Sequence, residues 1–217
     1  MRHGQRTMAA RKLPPSKDEV AALPPFEGVP LTRIHVPHTP QQIDAAWAEL
    51  GRHRYVGFDT ESKPTFTAGE VSGGPDVVQF ATATEAWVFQ LRVGACLDVV
   101  RQVLESPDVV KVGFGLQSDH TQLKARLGVH VRPVLDLDIV FSRRGYPRTI
   151  GVRGALAVAA GKSFSKSKRV TTSNWSVAEL NDRQLLYAAN DAFAALKVLE
   201  ALQLPEDELA GWIARRP

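Results

Sequence analysis

The chain has 217 residues, 44% of them hydrophobic, which is enough for one domain with a full core and short for two. With 27 Lys and Arg against 23 Asp and Glu the net charge is +4, compatible with a polyanionic partner but common among soluble proteins. The single cysteine, Cys96, excludes a disulfide framework and a cysteine zinc cluster, and no apolar run approaches the roughly 20 residues of a membrane helix. A cytoplasmic protein without membrane contact is the expectation.

Residues 1–30 mix basic residues with the pairs Pro14-Pro15 and Pro24-Pro25 and show no sustained period. This predicts a flexible basic arm ahead of one domain over 31–217. Thr39-Pro40 ahead of Gln41–Leu50 has the form of an N-cap, a first-turn proline and an amphipathic helix. The run from Tyr55 to Phe58 suits a strand buried on both faces. Asp76–Ala83 and Ala86–Leu91 are strand candidates joined closely enough for an antiparallel hairpin. A helix is expected over Cys96–Glu105, a buried strand over Val109–Phe114, and a helix over Ser118–Leu127 closed by Gly128. Val131–Leu135 is the last strand candidate. Gly151–Ala160, Asp182–Leu202 and Glu206–Ala214 have helical spacing. Strands interleaved with helices imply a three-layer α/β domain, and the hairpin makes its sheet mixed.

Three places put acids where a core pattern would not. Asp59 and Glu61 end an apolar strand two residues apart, so they share one face while Thr60 points away. Carboxylates so close repel unless a proton or a cation compensates, and hard oxygen ligands favour Mg²⁺ or Mn²⁺ over zinc. A solvated acidic pair at a strand end has the same pattern. Asp119 falls in the first turn of a helix after a glycine-containing turn, where complementing the helix dipole would also explain it. Tyr187 and Asp191 lie one turn apart on a largely apolar helix. If buried there, Asp191 needs a partner; if it faces water, it does not.

In combination these segments resemble the ribonuclease D and Werner-type exonucleases, members of the DEDD superfamily with a tyrosine in the third motif. The matching stretches are Val56-Gly57-Phe58-Asp59-Thr60-Glu61, Lys111-Val112-Gly113 through Asp119, and Tyr187-Ala188-Ala189-Asn190-Asp191. Val77–Thr82 resembles the family's second strand, and Ser173-Asn174-Trp175-Ser176 the approach to its last helix. The resemblance implies a ribonuclease H-like fold, with a mixed five-stranded sheet, one antiparallel strand and helices on both faces. It also implies 3′-5′ exonuclease activity with two divalent cations, Mg²⁺ or Mn²⁺, held by Asp59, Glu61, Asp119 and Asp191. Tyr187 would orient the attacking water, since an unperturbed tyrosine is a poor base at neutral pH. The histidine subclass carries its histidine where this chain has Leu186, which points to the tyrosine subclass.

The turn Gly115-Leu116-Gln117-Ser118 departs from the asparagine-containing version of many relatives. Asp136-Leu137-Asp138 repeats a same-face acid pattern and is read as structural or solvent-facing. Substrate contacts are expected from Thr60, from Lys63 and Phe66 after Glu61, and from Lys166, Lys168 and Arg169 in the Ser-rich stretch before Trp175. Trp175 is read as core. The implied substrate is a single-stranded or 3′-recessed nucleic acid, with nothing favouring DNA over RNA or setting an oligomeric state. The alternative is a catalytically silent nucleic-acid-binding domain of the same fold.

Overall fold

The computed structural model describes residues 11–65 and 73–213. A short helix α1 (Lys17–Ala21) precedes strand β1 (Ile34–His35), helix α2 (Pro40–Leu50), strand β2 (Tyr55–Glu61) and the hairpin β3 (Val77–Ala81) and β4 (Ala86–Gln90). Then come α3 (Leu97–Glu105), β5 (Val110–Gly113), α4 (Gln117–Leu127), β6 (Val134–Asp136), α5 (Leu137–Arg143) and α6 (Gly151–Ala160). The chain ends through α7 (Lys168–Thr171), the long α8 (Asp182–Leu202) and α9 (Glu206–Trp212). None of the described helices is long and apolar enough to cross a membrane.

The sheet has six strands in the order β1-β4-β3-β2-β5-β6, with β3 antiparallel to both neighbours and the other pairings parallel. The expected single antiparallel strand is present, but the sheet has one strand more than the expected five. The addition is β1, whose two residues pair with Ala86 and Trp87. So short a strand leaves no alternation in the sequence to detect.

Alternation along each strand divides the core between two helical layers. Val56, Phe58, Val78, Phe80 and Phe89 face α2, α3 and α4. Phe58, Phe80 and Phe89 pack ring against ring across β2, β3 and β4, with centroids 5.7 and 6.0 Å apart. Each buried phenylalanine contributes on the order of 1.5–3 kcal/mol relative to exposure. The other face meets α5, α6, α8 and α9 through Val112, Leu135, Phe141, Leu156 and Val198.

Local chemistry sets several boundaries. Thr39 accepts from Gln42 N–H and Gln42 reaches back to Thr39 N–H, a reciprocal cap that starts α2. Asn181 and Gln184 do the same for α8. Gly128 stops α4 in the left-handed region at φ 72°, which glycine adopts without steric cost. Gly57 serves the site more directly. A Cβ there would overlap the carbonyl oxygen of Ala192, so only glycine lets α8 lie this close to β2.

The flexible arm expected through residue 30 does not extend to Leu23–Val29. Val29 is buried, its N–H donates to Asn190 Oδ1 at 2.8 Å, and Phe26 packs against Phe164 and Phe193. The Pro-Pro pairs concealed Phe26 and Val29, apolar residues that carry this segment onto the domain. The sequence carries no clear signal for α5, because Asp136-Leu137-Asp138 looks like strand alternation. In fact Asp136 caps α5 and accepts from the N–H groups of Asp138, Gly115 and Leu116. Asp138 accepts from Gly151 N–H, so this acid pair has the structural role expected of it.

Candidate active site

β2 and α8 bring the first acids together. Asp59 and Glu61 share the face of β2 that meets α8, and the close approach at Gly57 delivers Asp191 to them. One carboxylate oxygen from each of Asp59, Glu61 and Asp191 lies within 4.8 Å of the others. Asp191 is buried, so the alternative in which it faces water does not hold. Its Oδ2 pairs with Lys166 Nζ at 2.6 Å, while its Oδ1 is buried without a hydrogen-bond partner.

Asp119 arrives separately, on the first turn of α4. Thr60 points away from Asp59 and Glu61, as alternation requires, and its hydroxyl donates to Asp119 Oδ1. Ser118 Oγ adds a second, longer bond to Oδ2 at 3.4 Å. Thr60, expected as a substrate contact, therefore spends its hydroxyl on an acid.

Burial and mutual repulsion govern the electrostatics. Desolvation first, then the charges of Asp191 and Asp119, push the Asp59 carboxyl well above the usual carboxylate range. Desolvation and Asp59 raise Glu61 to about 9. Burial raises Asp119 as well, against the lowering effect of Thr60. Asp191 is raised by burial to about 6, with Lys166 opposing the shift. Four carboxyls that resist ionisation together are a site lacking positive charge. The orphaned Oδ1 and the three converging oxygens fit a hard divalent cation well.

Tyr187 lies one turn before Asp191, half-buried, and its ring packs on Trp175 with centroids 6.0 Å apart. Its hydroxyl bonds Thr171 Oγ1 at 2.8 Å. Desolvation and the charge of Asp191 raise it to about 12, so it stays protonated at neutral pH. Trp175 is buried, as expected of a core residue.

The expected strand contacts divide. Lys166 reaches the acids and lies 5.6 Å from the centroid of the Tyr187 ring. Lys168 and Arg169 are exposed on α7, and Arg169 lines a cleft of about 570 Å³ with Lys166, Arg183 and Tyr187. Lys63 is exposed on the loop after β2, and its N–H donates to Asp76 Oδ2 at 2.7 Å. Phe66 lies outside the described residues. Sequence reasoning missed Thr171, whose bond to Tyr187 joins two segments 16 residues apart. It also missed Gln79, the register partner of Asp59, whose buried amide has no hydrogen-bond partner on either atom. A polar residue in the centre of the apolar strand Val77–Ala81 was the available signal for Gln79.

A family model described as 3′-5′ exonuclease matches residues 34–205. The chain belongs to the 3′-5′ exonuclease family. Among its relatives, a 3′-5′ exonuclease of Arabidopsis thaliana is 28% identical over 159 residues, covering 72% of this chain and 55% of the relative. The chain thus spans about half the length of that protein. Of solved structures, the Nibbler EXO domain of Aedes aegypti superposes with a TM-score of 0.71 at 21% identity, covering 86% of this chain and 98% of that one. The Trypanosoma brucei RNase D complex with RNA U12 superposes with a TM-score of 0.68 at 22% identity, covering 88% and 66%. In this exonuclease family member the matched region contains all four acids and Tyr187.

Proposed function

We propose that this chain removes nucleoside 5′-monophosphates from the 3′ end of a nucleic-acid strand, as a member of the tyrosine subclass of DEDD exonucleases. The observation that carries the reading is the convergence of Asp59, Glu61 and Asp191 beside an uncompensated Asp191 oxygen. Asp59, Glu61 and Asp191 would hold one Mg²⁺ or Mn²⁺, and Asp59 with Asp119 a second. When bound, such ions lower the pKa of water and stabilise the charge on a leaving 3′-oxygen.

The chain's own residues do the rest. Thr60 fixes Asp119 in one rotamer by its hydroxyl bond. Tyr187, protonated, would turn its O–H from Thr171 Oγ1 to orient the attacking water beside Asp191, while packing on Trp175 holds its ring in place. Lys168 and Arg169 offer cations to the strand's phosphates, with Lys63 on the exposed loop after β2 as a further contact. Phe66 would supply a stacking ring for a terminal base. The RNA-bound RNase D neighbour supports a nucleic-acid substrate, and a single-stranded or 3′-recessed end suits a site built to meet a terminus.

A side-by-side degradation assay tests this on single-stranded DNA, 3′-recessed duplex DNA, RNA and a circular single strand, each with Mg²⁺ and with Mn²⁺. Mononucleotides are expected from linear strands and none from the circle. Cleavage of the circle would reassign the chain as an endonuclease. Strand binding without any release would leave a silent binding domain.

A further inference from the structure

Lys166 holds a position that a strand-gripping lysine on a loop does not require. The segment after α6 runs back along α8 and places the Lys166 ammonium 2.6 Å from Asp191 Oδ2, with that carboxylate only 3% exposed and the lysine side chain 27%. The ammonium also lies over the Tyr187 ring at 5.6 Å. Desolvation pulls its pKa down, but Asp191 and then Asp59 outweigh it, so the group stays firmly protonated. Among the described residues, it places a positive charge beside three carboxylates that would otherwise repel one another.

A divalent cation bound by Asp59, Glu61 and Asp191 needs the oxygens this ammonium now faces. Two like charges cannot share Asp191 Oδ2 without mutual repulsion. Lysine is suited to leave, being a point charge on a flexible four-carbon stem. The cleft of about 570 Å³ that Lys166 lines with Arg169 and Arg183 gives it a destination, and none of its described lining residues is an acid.

We propose that Lys166 is the resident counter-ion of the metal-free site. It exchanges with the incoming metal, and the released ammonium turns into the cleft to hold a phosphate of the substrate strand. Lys166 is therefore a positioning residue that couples metal loading to strand grip. This inference rests on the metal-dependent reading of the site.

The test uses the full chain as wild type, Lys166→Met and Lys166→Arg. Mn²⁺ binding is measured by calorimetry and by the Mn²⁺-induced shift in Tm. Strand binding is measured by anisotropy with a 3′-phosphorothioate oligonucleotide, in Ca²⁺ and in chelator. Lys166→Met is expected to bind Mn²⁺ about tenfold more tightly, with a lower metal-free Tm and a larger metal-induced rise. Lys166→Arg is expected to stay near wild type. Strand affinity of Lys166→Met should fall in Ca²⁺ and not in chelator, where Asp191 already occupies the wild-type lysine. Equal Mn²⁺ affinity in wild type and Lys166→Met would overturn the exchange. Strand affinity falling equally in both conditions would overturn the coupling. If none of the three proteins binds Mn²⁺, the metal reading itself fails and this inference with it.

Discussion

Lys111 and Asp191 are both charged side chains inside the domain, nearly out of reach of water and on opposite faces of the sheet. The chain treats them differently. Four backbone carbonyls surround the Lys111 ammonium, those of Val103, Ser106, Val109 and Arg132, at 3.0, 3.2, 2.6 and 2.9 Å. They tie the end of α3 to β5 and to the approach to β6. Asp191 instead lies among carboxylates of its own sign, with one lysine for compensation and one oxygen without a partner. Backbone carbonyls surround the structural amine on every side, although burial still lowers its pKa to about 7. Asp191 is left partly uncompensated among the described residues, as the proposed metal site requires.

Glu61→Gln should disturb that contrast most. Removing one charge from the carboxylate cluster is expected to lower exonuclease activity by at least about 10³-fold, the upper range for losing a single preorganised group. Metal-free Tm should hold near neutral pH, where Glu61 is already protonated, and rise relative to wild type only as pH approaches 9. A parallel loss of Tm and activity would make Glu61 a structural residue. Lys111→Met should do the opposite, costing about 3 kcal/mol in urea unfolding because four carbonyls lose their donor. The activity of the molecules that remain folded should be unchanged.

Tyr187→Phe comes next. It should reduce kcat by about 10²-fold with KM little changed, as expected for a group that orients water without binding the strand. A change in KM alone would move Tyr187 to the substrate contacts.

The smallest effect is a pH dependence. Glu61 is raised from 4.5 to about 9 on folding, so the metal-free folded state binds more protons than the unfolded state across that window. Stability from the acids therefore falls as pH rises from 4.5 to 9. Lys111 works the other way from about 7 to 10.5, because burial lowers its pKa and the unfolded chain holds that proton longer. Taking the difference in Tm with and without Mn²⁺ isolates the acids, and this difference should grow from pH 6 to 9. A flat difference would show that the carboxyls are already ionised without metal.

Much of this was legible in the sequence where local chemistry decides the outcome. The α2 cap at Thr39, the stop at Gly128 and the full spans of α6 and α8 follow from capping residues and helical spacing. The acids were legible as a set only through the resemblance, since each has an ordinary explanation alone. What escaped depends on tertiary contact. Nothing in Asp-Thr-Glu shows that α4 brings Asp119 to the Thr60 hydroxyl. Lys166 was one cation in a Ser-rich loop, and only the return of that loop along α8 puts it on Asp191. Phe26 and Val29 were hidden by a proline-rich segment whose dockings at Phe164 and Asn190 lie more than 130 residues away.

A 3′-end-labelled linear strand, incubated with Mn²⁺ and with chelator, using wild type and Asp59→Asn, tests the metal-dependent site most directly. The expected result is label released as a 5′-mononucleotide from the earliest time points, by wild type with Mn²⁺ alone, while Asp59→Asn binds the strand without releasing label. Release that persists in chelator, or that survives Asp59→Asn, would contradict the assignment of these carboxylates as a metal-dependent hydrolytic site.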